Sequence, residues 1–147
     1  MICNEFFEEV TDLHIQEYET YCAAEVLPLY ASVGWTAYTA EPETLRRGFA
    51  RSLMTLAAYA DGRLIGLLRA VGDGETVVFV KDLLVCPAHQ RRGVGTALVR
   101  ELLARYPEVR QIELAADDTP KTRAFYCAAG FRPLSEDGCC GYWRLRD

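Results

Sequence analysis

A chain of 147 residues is the size of one domain, and such a chain buries roughly 70% of its unfolded surface, so it needs no disulfide or metal to hold it. Half of its residues are apolar and a quarter charged, which excludes a disordered tail, a fibre or a low-complexity linker, and no run of about 18 apolar residues suggests a membrane-spanning helix. The net charge is −5, but nine of the 21 acidic residues precede the first basic one, Arg46, leaving 16 basic against 12 acidic residues from Arg46 onward; duplex nucleic acid, which normally demands a net basic face, is not an expected partner.

In chain order, residues 9–15 read as an extended piece. The stretch 19–32 has the apolar spacing of a helix (Tyr21, Ala24, Val26 to Leu29, Tyr30), disturbed by Pro28. Glu41-Pro42 opens a second short helix that runs to about Ala50, since Pro is favoured in a first turn. Three strands follow. Leu53–Tyr59 and Arg63–Val71 are joined by the tight-hairpin dipeptide Asp61-Gly62, and Gly72-Asp73-Gly74 turns the chain into Thr76–Val85. Val94, Ala97, Leu98 and Leu102 then mark one face of a helix closed by Pro107, and Gln111–Ala115 is a short strand. Asp118-Thr119-Pro120 starts a last helix with Ala124, Phe125 and Ala128 inward and Gly130 at its end. Phe131–Leu134 and Gly141–Leu145 read as two final strands. Strand–helix–strand over 76–115 implies a right-handed crossover and a parallel pair. The expected fold is α/β (α+β mixed), one domain over 1–147, with an antiparallel N-terminal meander.

Six cysteines, at 3, 22, 86, 127, 139 and 140, form no Cys-x-x-Cys pair, and only His14 and His89 could join them, so zinc-ligand spacing is absent and no metal is expected. Met1 to Glu5 offers neither a basic segment nor an apolar core for a secretory signal. Reduced thiols in a cytoplasmic protein are the reading that follows, the adjacent Cys139-Cys140 pair included.

The chemistry concentrates in Val85-Cys86-Pro87-Ala88-His89-Gln90-Arg91-Arg92-Gly93-Val94-Gly95-Thr96-Ala97-Leu98. A buried strand ends, a basic turn follows, and two glycines open an amphipathic helix. Helix starts expose unpaired N–H groups and the positive end of the dipole, glycines admit a phosphate close to the backbone, and Arg91 and Arg92 add charge. A Walker A loop would need Gly-Lys-Ser/Thr, which is absent. A dinucleotide fingerprint would need a small residue where Leu98 stands and an acid at the tip of the next strand, whereas Glu113 lies inside it.

The remaining pattern, Gln/Arg-x-x-Gly-x-Gly/Ala, is met by Gln90 to Gly95, and here the chain resembles the GNAT superfamily of N-acetyltransferases. Asp82-Leu83-Leu84-Val85-x-Pro87 resembles that family's central strand, and Asp118 through Tyr126 to Gly130-Phe131 resembles its fourth helix and the following turn. The resemblance is clear over about residues 53–134. It implies a mixed sheet of six to seven strands with a splayed parallel pair and about four helices. It also implies acetyl-CoA as co-substrate, its diphosphate on the backbone of Gln90, Arg91, Arg92, Gly93, Val94, Gly95 and Thr96. The pantetheine would pair with Leu83, Leu84 and Val85, where a backbone N–H polarises the acetyl carbonyl and the sheet is often irregular.

The implied reaction is direct attack of a neutral amine on the thioester, which needs oxyanion stabilisation and a proton for the departing thiolate. Tyr126 matches the family's donor; the alternative is a packing aromatic whose hydroxyl bonds the sulfur. Asp82, a carboxylate in an apolar strand, either accepts the amine proton through water or pairs with a buried Arg or Lys. Alternation puts Asp82 and Leu84 on one face, and Lys81 and Leu83 on the other. Glu113 is a second base candidate, His89 a loop residue near the nucleotide, and Cys86 a neighbour of the pantetheine. The acidic first 45 residues favour a cationic amine, and Tyr18, Tyr21, Tyr30, Trp35 and Tyr38 either line an apolar pocket or pack.

The resulting expectation is an acetyl-CoA-dependent N-acetyltransferase acting on a small-molecule amine, without membrane or nucleic-acid partners. A protein amino group as acceptor, a silent acyl-CoA-binding sensor, and a nucleotide-binding regulator of another fold are the alternatives. Because relatives often pair through C-terminal strands, a homodimer is among the implied assemblies.

Overall fold

β1 (His14–Glu17) overlaps the expected extended piece; the computed structural model describes residues 12–146, so positions 9–11 of that piece lie outside the described residues. The chain forms two compact units, one running to Glu113 and one from Leu114 onward.

In the first unit, α1 (Ala23–Ser32) buries Val26, Leu29 and Tyr30, an i, i+3, i+4 face, and continues through Pro28. α2 (Thr36–Thr39) is a single turn that the sequence did not announce, being too short to display a period. α3 (Pro42–Ala50) starts on its proline, as expected, and buries Leu45 and Phe49.

The meander follows as β2 (Met54–Ala60), β3 (Arg63–Gly72) and β4 (Val77–Val85), with antiparallel ladders throughout. Asp61 and Gly62 both take positive φ in the β2–β3 turn, the mirror-image turn that suits hairpin twist. α4 (Val94–Arg105) leads to β5 (Gln111–Leu114), and the sheet order is β1-β2-β3-β4-β5, with β1 antiparallel to β2. The six residues Ile65–Ala70 are all buried, because β3 is covered on both faces. α1 and α3 pack Val26, Leu29, Tyr30, Leu45 and Phe49 against Ala57, Leu67 and Leu84. On the other face α4 comes so close that a Cβ on Gly66 would lie 3.3 Å from the Val94 side chain.

Gly72 closes β3 at φ +132°, and a Cβ there would stand 2.4 Å from the Val77 carbonyl oxygen. Gly72→Ala therefore meets strain and a backbone clash together. We expect a loss of about 2–3 kcal/mol in stability, checked by chemical denaturation, as for a residue forced into a forbidden conformation.

In the second unit, α5 (Pro120–Ala128) begins where Thr119 accepts a hydrogen bond from the Thr122 N–H at 3.1 Å. Ala124 and Ala128, expected inward, are exposed, while Phe125 is half-buried. The two expected C-terminal strands do not form. Pro133 removes a ladder donor and leads into a 3-10 turn at Leu134–Asp137, clasped by an Arg132–Asp137 ion pair at 2.7 Å. Residues 141–146 carry a strand-like alternation but no partner strand among the described residues, and Tyr142 and Trp143 stay exposed. The sheet thus has five strands among the described residues rather than six or seven, and the fold class is the expected mixed α/β.

Candidate active site

The ends of β4 and α4 build the first part of the site. After Val85 a 3-10 turn (Pro87–His89) carries the chain to Gln90, whose side-chain amide donates to the Val85 carbonyl at 2.9 Å and ties the loop to the strand end. Arg91 and Gly93 then adopt left-handed conformations, φ +61° and +82°, so the backbone coils sharply before α4. No side chain caps α4. Its first N–H groups lack intrahelical acceptors by geometry, and they sit beside Arg91 and Arg92. An uncapped, glycine-opened helix start behind a basic turn fits a diphosphate. The 3-10 turn also stacks residue i+3 over i: Cys86 Sγ lies 3.0 Å from His89 Nδ1.

The second part lies on the α1/α3 face. Asp82 is 2% exposed and Arg69, its cross-strand neighbour, 6%. Asp82 Oδ2 accepts from Arg69 Nε at 2.7 Å and from the Tyr30 hydroxyl at 2.8 Å, and its Oδ1 accepts from the Tyr38 hydroxyl at 2.9 Å. Arg69 also donates to Ser52 Oγ at 3.2 Å and lies over the Phe49 ring. Burial opposes the charge on Arg69, but the charge and hydrogen bond of Asp82 outweigh it and raise the guanidinium further. Burial, then the charge of Asp82, pushes the Tyr30 phenol far above its ordinary value of 10. Of the two sequence readings of Asp82, the buried partner exists, and it is Arg69.

One expectation is corrected here. Arg69 pairs with Asp82 and Ala70 with Val80, so Lys81 is the extra residue of a β-bulge. The bulge cancels the simple alternation: Lys81 Nζ donates to the Tyr38 hydroxyl at 2.9 Å, meeting the same phenol as Asp82 instead of pointing to the opposite face. Tyr38 also edges against Tyr30, with ring centroids 5.2 Å apart, and helps line a cavity of about 330 Å³ formed with Ala37, Glu41, Thr44, Leu45, Gly48 and Arg69. A larger cavity, about 480 Å³, contains none of the expected site residues; Glu17, Glu101 and Arg105 form ion pairs along it.

The other candidates are placed as follows. Leu84 is buried among the α1/α3 core, while Leu83 and Val85 are half-buried. Glu113 accepts a hydrogen bond from the Gln111 side chain on its own strand. In the second unit Tyr126 is half-buried, edge-on to Phe125 at 5.0 Å and Phe131 at 5.9 Å, and burial raises its phenol above 10. Among the described residues no cluster of His, Cys, Asp and Glu could hold a metal, and no helix is long and apolar enough to cross a membrane.

A model of the acetyltransferase (GNAT) family matches residues 7–131. The chain belongs to the GNAT family. It is 38% identical, with a TM-score of 0.83, to a solved GNAT-family acetyltransferase from Streptococcus pneumoniae, covering 92% of this chain and 99% of that one. It is 31% identical over 125 residues, 83% of its length, to mycothiol acetyltransferase of Nocardia farcinica. It is 34% identical over 109 residues, 70% of its length, to a chloroplastic serotonin N-acetyltransferase of Oryza sativa subsp. japonica. The matched stretches span 38% and 52% of those two relatives.

Sequence reasoning had noticed Tyr30 and Tyr38 only as pocket or packing aromatics, and had missed Arg69. Its signal was available: a lone charge within Leu64-Ile65-Gly66-Leu67-Leu68-Arg69-Ala70-Val71 needs a buried partner of opposite sign.

Proposed function

We propose that this GNAT chain transfers the acetyl group of acetyl-CoA to a primary amine of a small molecule, by direct attack within a ternary complex. The observation that carries this reading is the uncapped start of α4 behind the left-handed Arg91 and Gly93, whose donors suit the coenzyme's diphosphate. Acetyl-CoA supplies the activated thioester. The N–H groups of Arg91 to Thr96 hold its diphosphate, and the backbone of Leu83 to Val85 orients its pantetheine and polarises the carbonyl. A small acceptor is supported by the cavity of about 330 Å³, and by mycothiol and serotonin in the names of two relatives. A cytoplasmic location goes with this reading, since Cys22, Cys86, Cys127, Cys139 and Cys140 are all free thiols. The test is a panel of primary amines with acetyl-CoA, followed by release of free CoA thiol. Turnover with at least one small amine is expected; acetyl-CoA binding with no turnover on any amine would overturn the proposal.

Tyr126 is the proposed proton donor to the departing sulfur. Burial holds its phenol above 10, so it stays protonated while rising pH frees the amine, and its contribution fades only above that raised value. Tyr126→Phe should lower kcat by about 100-fold with acetyl-CoA affinity unchanged. Full activity of the variant would remove the role.

A further inference from the structure

We propose that Tyr38 is the catalytic residue that takes the acceptor's proton, and that Asp82 stands behind it as the carboxylate receiving the phenol's own proton. This rests on the acetyl-transfer reading above. Asp82 is shut away: it does not line the cavity, its Oδ2 is taken by Arg69 and Tyr30, and its Oδ1 by Tyr38. Tyr38 does line the cavity. A phenol has one donor and two acceptor positions. Tyr38 spends the donor on Asp82 and one acceptor position on Lys81, which leaves one lone pair for a substrate N–H. The two neighbours also complement the task. Lys81, a cationic donor at 2.9 Å, stabilises negative charge on the phenol oxygen, and Asp82 receives the proton that oxygen gives up. Among the described residues, Glu41 and Arg69 line the same cavity, and Tyr30 edges against the Tyr38 ring.

The step balances. The amine lone pair forms the new C–N bond, and the C–S bond breaks with its electron pair on sulfur, which leaves as the coenzyme thiolate. One N–H proton passes to Tyr38 Oη while the phenol's own proton passes to Asp82 Oδ1. Return of that proton to solvent resets the pair. The bulge at Lys81 is what makes this possible, because it brings residues 81 and 82 to one hydroxyl.

The test uses the full chain, acetyl-CoA and two probe amines, 2-phenylethylamine and spermidine, with thiol release measured across pH alongside the amine panel. Tyr38→Phe keeps the ring that packs on Tyr30 and Trp35 and removes only the hydroxyl. It should lower kcat about 100-fold, leave acetyl-CoA affinity unchanged, and turn a plateau at neutral pH into a rate that keeps climbing with pH. A purely structural role would leave the shape of that profile unaltered. Lys81→Met, at an exposed position and so free of folding trouble, should lower kcat about 10-fold with unchanged KM. Wild-type turnover together with a Tyr38→Phe or Lys81→Met enzyme within twofold of wild type, at the same pH profile, overturns the role of Tyr38 alone. A wild-type protein that binds acetyl-CoA but acetylates no amine of the panel overturns the acetyl-transfer reading, and this role with it.

Discussion

Arg69→Met is expected to cost about 3–5 kcal/mol of stability, seen as a lower urea midpoint at an unchanged slope. The size follows from what remains. Asp82, 2% exposed, would keep its charge in an apolar strand with only the Tyr30 and Tyr38 hydroxyls to solvate it. Breaking a buried pair leaves an uncompensated charge, which costs more than the pair itself contributed. The double variant Arg69→Met/Asp82→Leu tests that distinction. It removes both charges and should regain part of the loss, but not all of it, because the buried Tyr30 hydroxyl then lacks its acceptor. The Arg46–Glu43 pair on α3 is the control: its side chains are 51% and 69% exposed, and Arg46→Met should shift stability by no more than about 0.5 kcal/mol. A loss below about 1 kcal/mol in Arg69→Met would mean that Asp82 is solvated by something other than this guanidinium.

The same cluster shows where a sequence can be read and where it cannot. Asp82 was conspicuous as a carboxylate between Val80 and Leu84, and a buried Arg or Lys beside it was one of the two readings the sequence left open. Which cation it would be depended on register, and register here depends on one inserted residue. Without the bulge Lys81 would point away from Asp82; with it, both reach Tyr38. No local pattern announces that insertion. α2 was equally silent, since its four residues cannot express a 3.6-residue period, yet it places Tyr38. By contrast the hairpin at Asp61-Gly62, the proline start of α3 and the glycine-opened start of α4 were legible, because each is punctuated by a residue whose backbone preference is strong. The C-terminal segment shows the limit from the other side. Alternation over residues 141–145 reports extended character, but a strand exists only where an edge accepts it, and edges are not written in local sequence.

Gly95→Glu should weaken acetyl-CoA binding by at least about 100-fold, about 3 kcal/mol, while the fold survives or gains stability. The two effects have opposite signs for physical reasons. Gly95 lies in the first turn of α4 and is half-exposed. A non-glycine residue there saves roughly 0.5–1 kcal/mol of backbone entropy, and a carboxylate beside the positive end of the helix dipole adds about 0.3–1 kcal/mol. That same carboxylate competes with the diphosphate for the uncapped N–H groups and repels it, and like charges forced together cost several kcal/mol. A variant that merely damaged the fold would lose thermal stability and affinity together; this one should raise or hold the melting temperature while calorimetry shows the coenzyme lost. Retained affinity in a well-folded Gly95→Glu protein would mean that the diphosphate binds away from the start of α4, and the assignment of Arg91 to Thr96 would fall with it.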